Sequence, residues 1–438
     1  MSRERWEGRK LHFIAIGGAG MSGLALVAHR LGATVTGSDK AESAYLERLR
    51  SAGLRPVVGH DENSVPDDAE VVVSTAIGPD NPELARARAR GQVEVHRGGL
   101  LAELCAEGRL IAVAGTHGKT TTTGMIVHAL RATGADPTFF IGGELPGGGE
   151  NGEPANAGLG RGELIIAEAD ESDGSFLRLE PEVAVVTNVE LDHHARWSSR
   201  AELFEAFAQF AAPAPAVVRG EDEALDSIVP AGARAERFSE TAPGPSPLEL
   251  SVPGRHNALN ARAALAAIGL AGEDVDAAAA ALATFPGMLR RQELKGRRSG
   301  ALIYDDYAHH PTEVRATLAA LRELRPRRLI AIFQPHLYSR TKALASEFGA
   351  ALAAADEVGV LDVYAAREEP VGPLEGVSGL VVARAAADRA GGRRVMWLGD
   401  RETAARVLAP LLGEGDLLVT IGAGDIFKLA DDLVSVSA

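Results

Sequence analysis

The chain has 438 residues, 46% of them hydrophobic, a formal net charge of −15 and a single cysteine. That length exceeds one ordinary domain and the apolar content supplies more than one core, so two or three domains are expected. The negative balance repels phosphate backbones and argues against a nucleic-acid partner; no apolar run is long enough for a bilayer; and Cys105 alone cannot close an internal disulfide, which suits a reducing cytoplasm.

Residues 11–16 (LHFIAI) predict a first strand. The run is too short after Arg3, Arg5, Arg9 and Lys10 to be a signal peptide, and it breaks at Gly17-Gly18. A helix through Leu31 follows. Gly18, Gly20 and Gly23 match G-x-G-x-x-G between strand and helix, and Asp39 ends a second strand at the distance where an acid meets a ribose hydroxyl. Such a turn holds a pyrophosphate, and taken alone it predicts NAD. Strands near Val71–Thr75 and Val93–Val95, with a helix over Pro82–Arg90, complete an α/β unit ending near Gly108. Cys105 lies in an apolar helical pattern with Leu100, Leu101 and Leu104, which predicts core packing.

The next stretch, Leu110 to Met125, reads LIAVAGTHGKTTTTGM. An apolar strand enters a Gly115-Thr116-His117-Gly118 turn, and Lys119 and Thr120 open a helix. Unpaired N–H groups and the helix dipole make such an N-terminus an anion site, with lysine as a point charge and a threonine hydroxyl for a metal ion. The spacing is shorter than the Walker pattern, since Val113 stands where that motif has its first glycine. The glycine-rich stretch from Gly142 to Gly162 predicts a mobile surface loop that folds over a ligand or, equally, a simple flexible connection. A strand over Glu163–Ala167 runs into Glu168-Ala169-Asp170-Glu171-Ser172-Asp173, and one over Pro181–Thr187 runs into Asn188-Val189-Glu190-Leu191-Asp192-His193. Acids and an imidazole at strand C-termini, with Thr120, suit Mg²⁺ beside a triphosphate. The residues leave open which member of each cluster binds. Residues 211–247 are uninformative, but Asn257 and Asn260 share one face of an Ala-rich helix, where paired amides suit an adenine edge or a helix cap.

After Phe285-Pro286-Gly287 a third unit begins with a loop carrying Arg290 and Arg291. Strands at Leu302–Tyr304, Leu329–Phe333, Val358–Val363 and Leu417–Ile421 alternate with helices, and each polar cluster (Asp305 to Pro311, Gln334 to Arg340, Gly422 to Asp425) follows a strand. That is the sign of a cleft in a doubly wound sheet. The expected boundaries are 1–107, 108–287 and 288–438.

In order along nearly the whole chain, HFIAIGGAGMSGLA, AGTHGKTTTT, EADESDGSF, TNVELDH, GRHNALNA, DDYAHHPTEV, FQPHLYSRT and GAGDI resemble the Mur ligase family. The resemblance implies three α/β domains: an N-terminal Rossmann-like domain, a central P-loop ATPase-like domain and a C-terminal Rossmann-like domain. It implies an ATP- and Mg²⁺-dependent ligase of peptidoglycan precursor synthesis that joins L-alanine to the carboxylate of UDP-N-acetylmuramate through an acyl phosphate. The UDP-sugar would occupy Gly18, Ala19, Gly20, Met21, Ser22 and Asp39, displacing the NAD reading. ATP would meet Gly115, Thr116, His117, Gly118, Lys119, Thr120 and Thr121, with Asn257 and Asn260 on adenine, Arg291 on phosphates and Asp306 on the nucleotide. Thr120, Glu168 and His193 would hold the metal, Tyr307, His309 and Arg340 the amino acid. Lys119, Glu168, His193, Arg291 and His309 would carry the chemistry; by its ordinary titration range His309 is a candidate proton acceptor, with stacking or hydrogen bonding the equal alternative. Leu337 departs from the pattern, standing where QPHRYSRT is usual. The rival functions are a ligase attaching a ready-made peptide to the same sugar, an NAD-binding oxidoreductase and a non-catalytic sensor. The expected protein is a cytoplasmic monomer or homodimer.

Overall fold

The computed structural model describes residues 3–190, 197, 199–240, 248–366 and 368–435. Its central strands are short runs of Val, Ile, Leu and Ala buried on both faces, as parallel strands between helical layers must be, whereas the edge strands Arg234–Arg237 and Glu293–Arg298 are polar and more exposed.

The first sheet holds β1 (Lys10–Ile14), β2 (Thr34–Asp39), β3 (Val57–Val58), β4 (Glu70–Val73) and β5 (Glu94–His96), all parallel, in the order β3-β2-β1-β4-β5. Helices α1 (Ala19–Leu31), α2 (Ala44–Ser51), α3 (Pro82–Ala89) and α4 (Arg97–Cys105) accompany it. Strand order reverses at β1, so its glycine turn opens at the switch point where such sheets bind ligands. Cys105 is buried, and burial pushes its thiol pKa far up, leaving it inert.

The second sheet is built on β6 (Arg109–Ala114), with β7 (Thr138–Leu145), β8 (Ala155–Gly158), β9 (Leu164–Glu168), β10 (Val183–Val186), β11 (Ala216–Arg219) and β12 (Arg234–Arg237). Its order is β12-β11-β10-β6-β9-β7-β8, parallel except for β7 with β8. Helices α5 (Lys119–Ala132), α6 (Arg200–Ala211), α7 (Arg255–Leu270) and α8 (Val275–Leu282) belong to this part of the chain. Because β6 lies between β10 and β9, adjacent strand ends carry the GTHGK turn, Asn188 and Glu168.

The stretch 142–162, expected as a loop, is strand on both sides of a connection over 146–154. β7 runs through Gly142 and Gly143 to Leu145, and β8 is buried throughout. The small residues permit close packing: a Cβ on Gly23 of α1 would lie 2.8 Å from the Ala157 Cβ of β8.

The third sheet holds β13 (Glu293–Arg298), β14 (Ala301–Asp306), β15 (Arg328–Phe333), β16 (Glu357–Leu361), β17 (Val395–Gly399) and β18 (Asp416–Ile421), in the order β13-β14-β18-β15-β16-β17. Only β13 and β14 pair antiparallel. Helices α9 (Pro311–Glu323), α10 (Tyr338–Leu352), α11 (Gly379–Ala387), α12 (Arg401–Leu408) and α13 (Phe427–Ser435) complete it. The antiparallel edge strand β13 lies between the loop of Arg290 and Arg291 and the expected strand at Leu302–Tyr304, where the sequence predicts no element.

The chain forms two compact units: residues 1–251 with 258–286, and residues 252–257 with 287–438. The N-terminal unit contains the first two sheets, which share one apolar core from Leu24 and Ala28 through Phe140 and Ala157 to Phe207. The C-terminal unit has its own cores around Phe333 and Ile332.

Candidate active site

In the N-terminal unit, β6 ends at Ala114 and Gly115 turns the chain at φ +126°. Gly118, at φ +86°, is the N-cap of α5, with no side-chain cap on the helix. A non-glycine residue at 118 would be strained in backbone and would press on Asn260, whose Oδ1 lies 2.5 Å from the position of a Cβ. The loop is held from the β10 side. Asn188 Oδ1 accepts the His117 N–H at 2.9 Å, Thr187 Oγ1 donates to the His117 carbonyl at 2.6 Å, and the Glu190 N–H donates to Thr116 Oγ1 at 2.9 Å. Lys119 Nζ donates to the Gly115 carbonyl at 2.6 Å and to Glu171 at 2.8 Å. Burial works against the ammonium, but Glu171, Asp170 and Glu168 outweigh it and hold the lysine pKa above its ordinary value.

One residue on, Thr120 Oγ1 donates to Glu168 Oε1 at 3.0 Å, and the Gly142 N–H donates to Glu168 Oε2 at 2.7 Å. Burial raises the Glu168 pKa despite Lys119 nearby. A carboxylate short of positive charge beside a hydroxyl is a set of hard oxygen donors, which fits Mg²⁺. Thr121 is buried in the first turn of α5.

At the first glycine turn, Gly18 is the N-cap of α1, again without a side-chain cap. Asp39 Oδ2 accepts the Gly17 N–H at 2.8 Å, so this acid braces the loop as well as closing β2. Met21 and Ser22 are buried, and Asn156 of β8 donates to Ser22 Oγ at 3.3 Å and to the Ala19 carbonyl. Gly20 lies under the Arg97 guanidinium.

In the C-terminal unit, Asp306 accepts the N–H groups of Gln292 (2.9 Å) and Ala308 (2.8 Å), and burial pushes its pKa up to about 6. Tyr307 and His309 meet edge to face at 5.3 Å, and the Arg291 guanidinium lies 5.1 Å from the Tyr307 ring centre. Burial drives the His309 pKa down to about 4; Glu313 opposes this, while Arg340 and Arg291 add to it. His309 Nδ1 is 3.1 Å from the Tyr307 carbonyl, which only accepts, so Nδ1 carries the proton and Nε2 the lone pair. Arg340 sits in the first turn of α10, behind Leu337 at φ +70°. Arg290, by contrast, is structural, bonded to Asp305 at 3.2 Å and to the Gly422 carbonyl at 2.7 Å.

Residues 10–109 match the model of the Mur ligase family catalytic domain, 113–242 that of the Mur ligase middle domain and 290–424 that of the Mur ligase glutamate ligase domain. The UDP-N-acetylmuramate–L-alanine ligase of Rubrobacter xylanophilus is 44% identical, with 97% of this chain and 99% of that one covered. The chain belongs to the Mur ligase family. Among solved Mur ligases, the UDP-N-acetylmuramate–alanine ligase MurC of Thermotoga maritima superposes with a TM-score of 0.81 at 28% identity, covering 97% of this chain and 98% of that one. The murein peptide ligase of Psychrobacter arcticus reaches 0.69 at 25% identity, covering 98% and 100%.

In this Mur ligase the N-terminal unit brings together Gly115 to Thr121, Glu168 and Asn260, and separately Gly18 to Ser22 with Asp39. The C-terminal unit brings together Arg291, Tyr307, His309 and Arg340. Asn257 and Asn260 share α7, but residues 252–257 cluster with the C-terminal unit, where Asn257 Nδ2 donates to the Pro253 carbonyl at 2.7 Å and to Gln292 at 3.3 Å. His193 lies outside the described residues. Sequence reasoning missed Glu171 as the partner of Lys119, Asn156 and Arg97. Glu171 was visible as one of four acids in a run, whereas Arg97 carried no local signal.

Proposed function

We infer that this Mur ligase joins L-alanine to the lactyl carboxylate of UDP-N-acetylmuramate at the expense of ATP, as its relatives are named for doing. A carboxylate is a poor electrophile, so the γ-phosphoryl group of ATP first passes to it. The resulting acyl phosphate is attacked by the neutral alanine amine, and the tetrahedral intermediate collapses to the amide with expulsion of inorganic phosphate, the nitrogen giving up its proton to the departing phosphate or to water. The observation that carries this reading is Lys119, fixed at the mouth of the turn by Gly115 and Glu171 with Thr120 and Glu168 beside it. A preorganised cation at developing phosphoryl charge is worth several kcal/mol of barrier, roughly 10² to 10³ in rate.

Asn260, against Gly118, suits the adenine side of the nucleotide, and the turn at Gly18 to Ser22, braced by Asp39, suits the UDP diphosphate. Thr120 and Glu168, with His193 from the family pattern, would hold Mg²⁺, which when bound supplies charge neutralisation at the phosphates. In the C-terminal unit Arg291 and Asp306 serve the nucleotide, and Tyr307, His309 and Arg340 the amino acid. A histidine of pKa about 4 is too weak a base to take a proton from a free ammonium group, but its Nε2 lone pair accepts a hydrogen bond from the attacking amine. A cytoplasmic reaction, where ATP is at hand, is part of this reading.

The test is phosphate release from ATP, UDP-N-acetylmuramate and each amino acid in turn. Release should need all three, with L-alanine preferred. Release with a tripeptide but not alanine would replace this reading with that of a peptide ligase. Lys119→Met should lower turnover at least a hundredfold while leaving UDP-N-acetylmuramate binding in place.

A further inference from the structure

The two glycine turns of the N-terminal unit are connected by a polar chain that the roles above leave unused. Helix α4 starts at Arg97, whose guanidinium covers the first turn: a Cβ on Gly20 would lie 2.7 Å from Nη1. On its other side Arg97 Nη2 donates to Asp173 Oδ2 at 2.8 Å. Asp173 is largely buried, and it also accepts the Ser175 N–H at 2.9 Å. Burial disfavours its charge, but Ser175 and Arg97 outweigh this and hold the carboxyl below the usual range. The seat is tight, since a Cβ on Gly98 would fall 2.2 Å from the Ser175 Cβ. Two residues before Asp173 stands Glu171, the partner of Lys119. One short segment, 170–175, therefore grips the cation over the first turn at one end and the lysine of the second turn at the other.

We propose that Arg97 and Asp173 couple the two nucleotide sites. A diphosphate at the N-terminus of α1 offers Arg97 more negative charge than one carboxylate, and in bidentate geometry. As Arg97 turns to it, Asp173 loses its partner and segment 170–175 relaxes, changing how firmly Glu171 holds Lys119. A lysine less tightly held by Glu171 is more available to the ATP phosphates. UDP-sugar and ATP thus favour each other's binding, with Arg97 touching the diphosphate and Asp173 acting as a positioning residue. This rests on the reading that UDP-N-acetylmuramate occupies the first turn.

The experiment is calorimetric titration of UDP-N-acetylmuramate and of a non-hydrolysable ATP analogue with Mg²⁺, each with and without the other. In the natural protein each ligand should tighten the other by the same factor, about fivefold or more, because coupling is reciprocal. Asp173→Asn should bring that factor to within twofold of unity while both ligands still bind singly, and Asp173→Glu should keep most of it. Arg97→Met should weaken UDP-N-acetylmuramate alone about tenfold and abolish coupling, and Arg97→Lys should restore part of both. Should Asp173→Asn not fold, the Arg97 pair decides. Coupling that persists unchanged in the variants, or independent affinities in the natural protein, overturns the proposal and leaves the site assignment intact. No binding of UDP-N-acetylmuramate to the natural protein overturns both.

Discussion

Lys119 is a buried cation whose nearest counter-charge, Glu171, is more deeply buried still. Neither charge is near enough to water to recover its hydration, so the pair depends on mutual attraction, with the Gly115 and Thr116 carbonyls and nearby Asp170 and Glu168 also favouring the ammonium. Removing one partner of such a pair strands the other, at a cost of about 3 kcal/mol or more. Glu171→Gln should therefore lower the melting temperature of the N-terminal unit by several degrees, as read by calorimetry. ATP phosphates would replace the missing charge. A non-hydrolysable ATP analogue should then recover more stability in Glu171→Gln than in the natural protein, and equal recovery would show that Lys119 does not meet the phosphates. Glu168 makes the opposite case: its pKa is raised because burial outweighs nearby Lys119. A bound cation would complete its surroundings, so Glu168→Gln should raise the Mg²⁺ concentration for half-maximal turnover about tenfold or more, and an unchanged titration would assign the metal elsewhere.

At the scale of elements, α4 and the segment after β9 meet where Ser175 leaves no room for a side chain on Gly98. Alanine is the better helix former than glycine by up to about 1 kcal/mol. A Cβ on Gly98, however, would fall 2.2 Å from the Ser175 Cβ, an atom fixed close to the backbone. Overpacking of that kind costs about 1–3 kcal/mol, so it wins. Gly98→Ala should destabilise, and Gly98→Ala with Ser175→Gly should be more stable than the sum of the single changes, measured by urea unfolding. The same elements mark what the sequence made legible. Strand–turn–helix junctions stood out because apolar runs meeting glycine leave few alternatives, and the chemistry sits at those junctions. Glu168 and Glu171 could not be ranked, because which acid faces Thr120 and which Lys119 depends on where β9 ends. Arg97 was invisible, since its nearness to Gly20 is made by tertiary packing. The β7–β8 hairpin was misread because glycine signals close approach and mobility alike. Asn257 and Asn260 looked like one feature on one helix, but the helix passes from one unit to the other between them.

At the scale of the molecule, the first two sheets share a core that the third does not, so heating should resolve two transitions. UDP-N-acetylmuramate at a hundred times its Kd should raise the N-terminal one by about 5 °C. The C-terminal unit should betray itself by pH. His309 and His256 have pKa values driven by burial to about 4, against about 6.5 in an unfolded chain. Between those values the unfolded chain binds more protons than the folded one, so stability present above pH 6.5 is lost as pH falls toward 4, at about 2–3 kcal/mol per histidine. Asp306 acts oppositely. Its pKa rises to about 6 on folding, so the folded unit binds the extra proton and gains stability as pH falls from 6 toward 4. Asp305, raised by burial as well, acts in the same direction, so the overall slope is set by the balance between the two histidines and the two carboxyls. His309→Asn removes one loss, so from pH 7 to 4.5 the C-terminal transition of the variant should gain several degrees on that of the natural protein. Parallel pH profiles would mean that the imidazole is not held neutral by burial, and Nε2 would then be protonated and unable to accept a hydrogen bond from the amine.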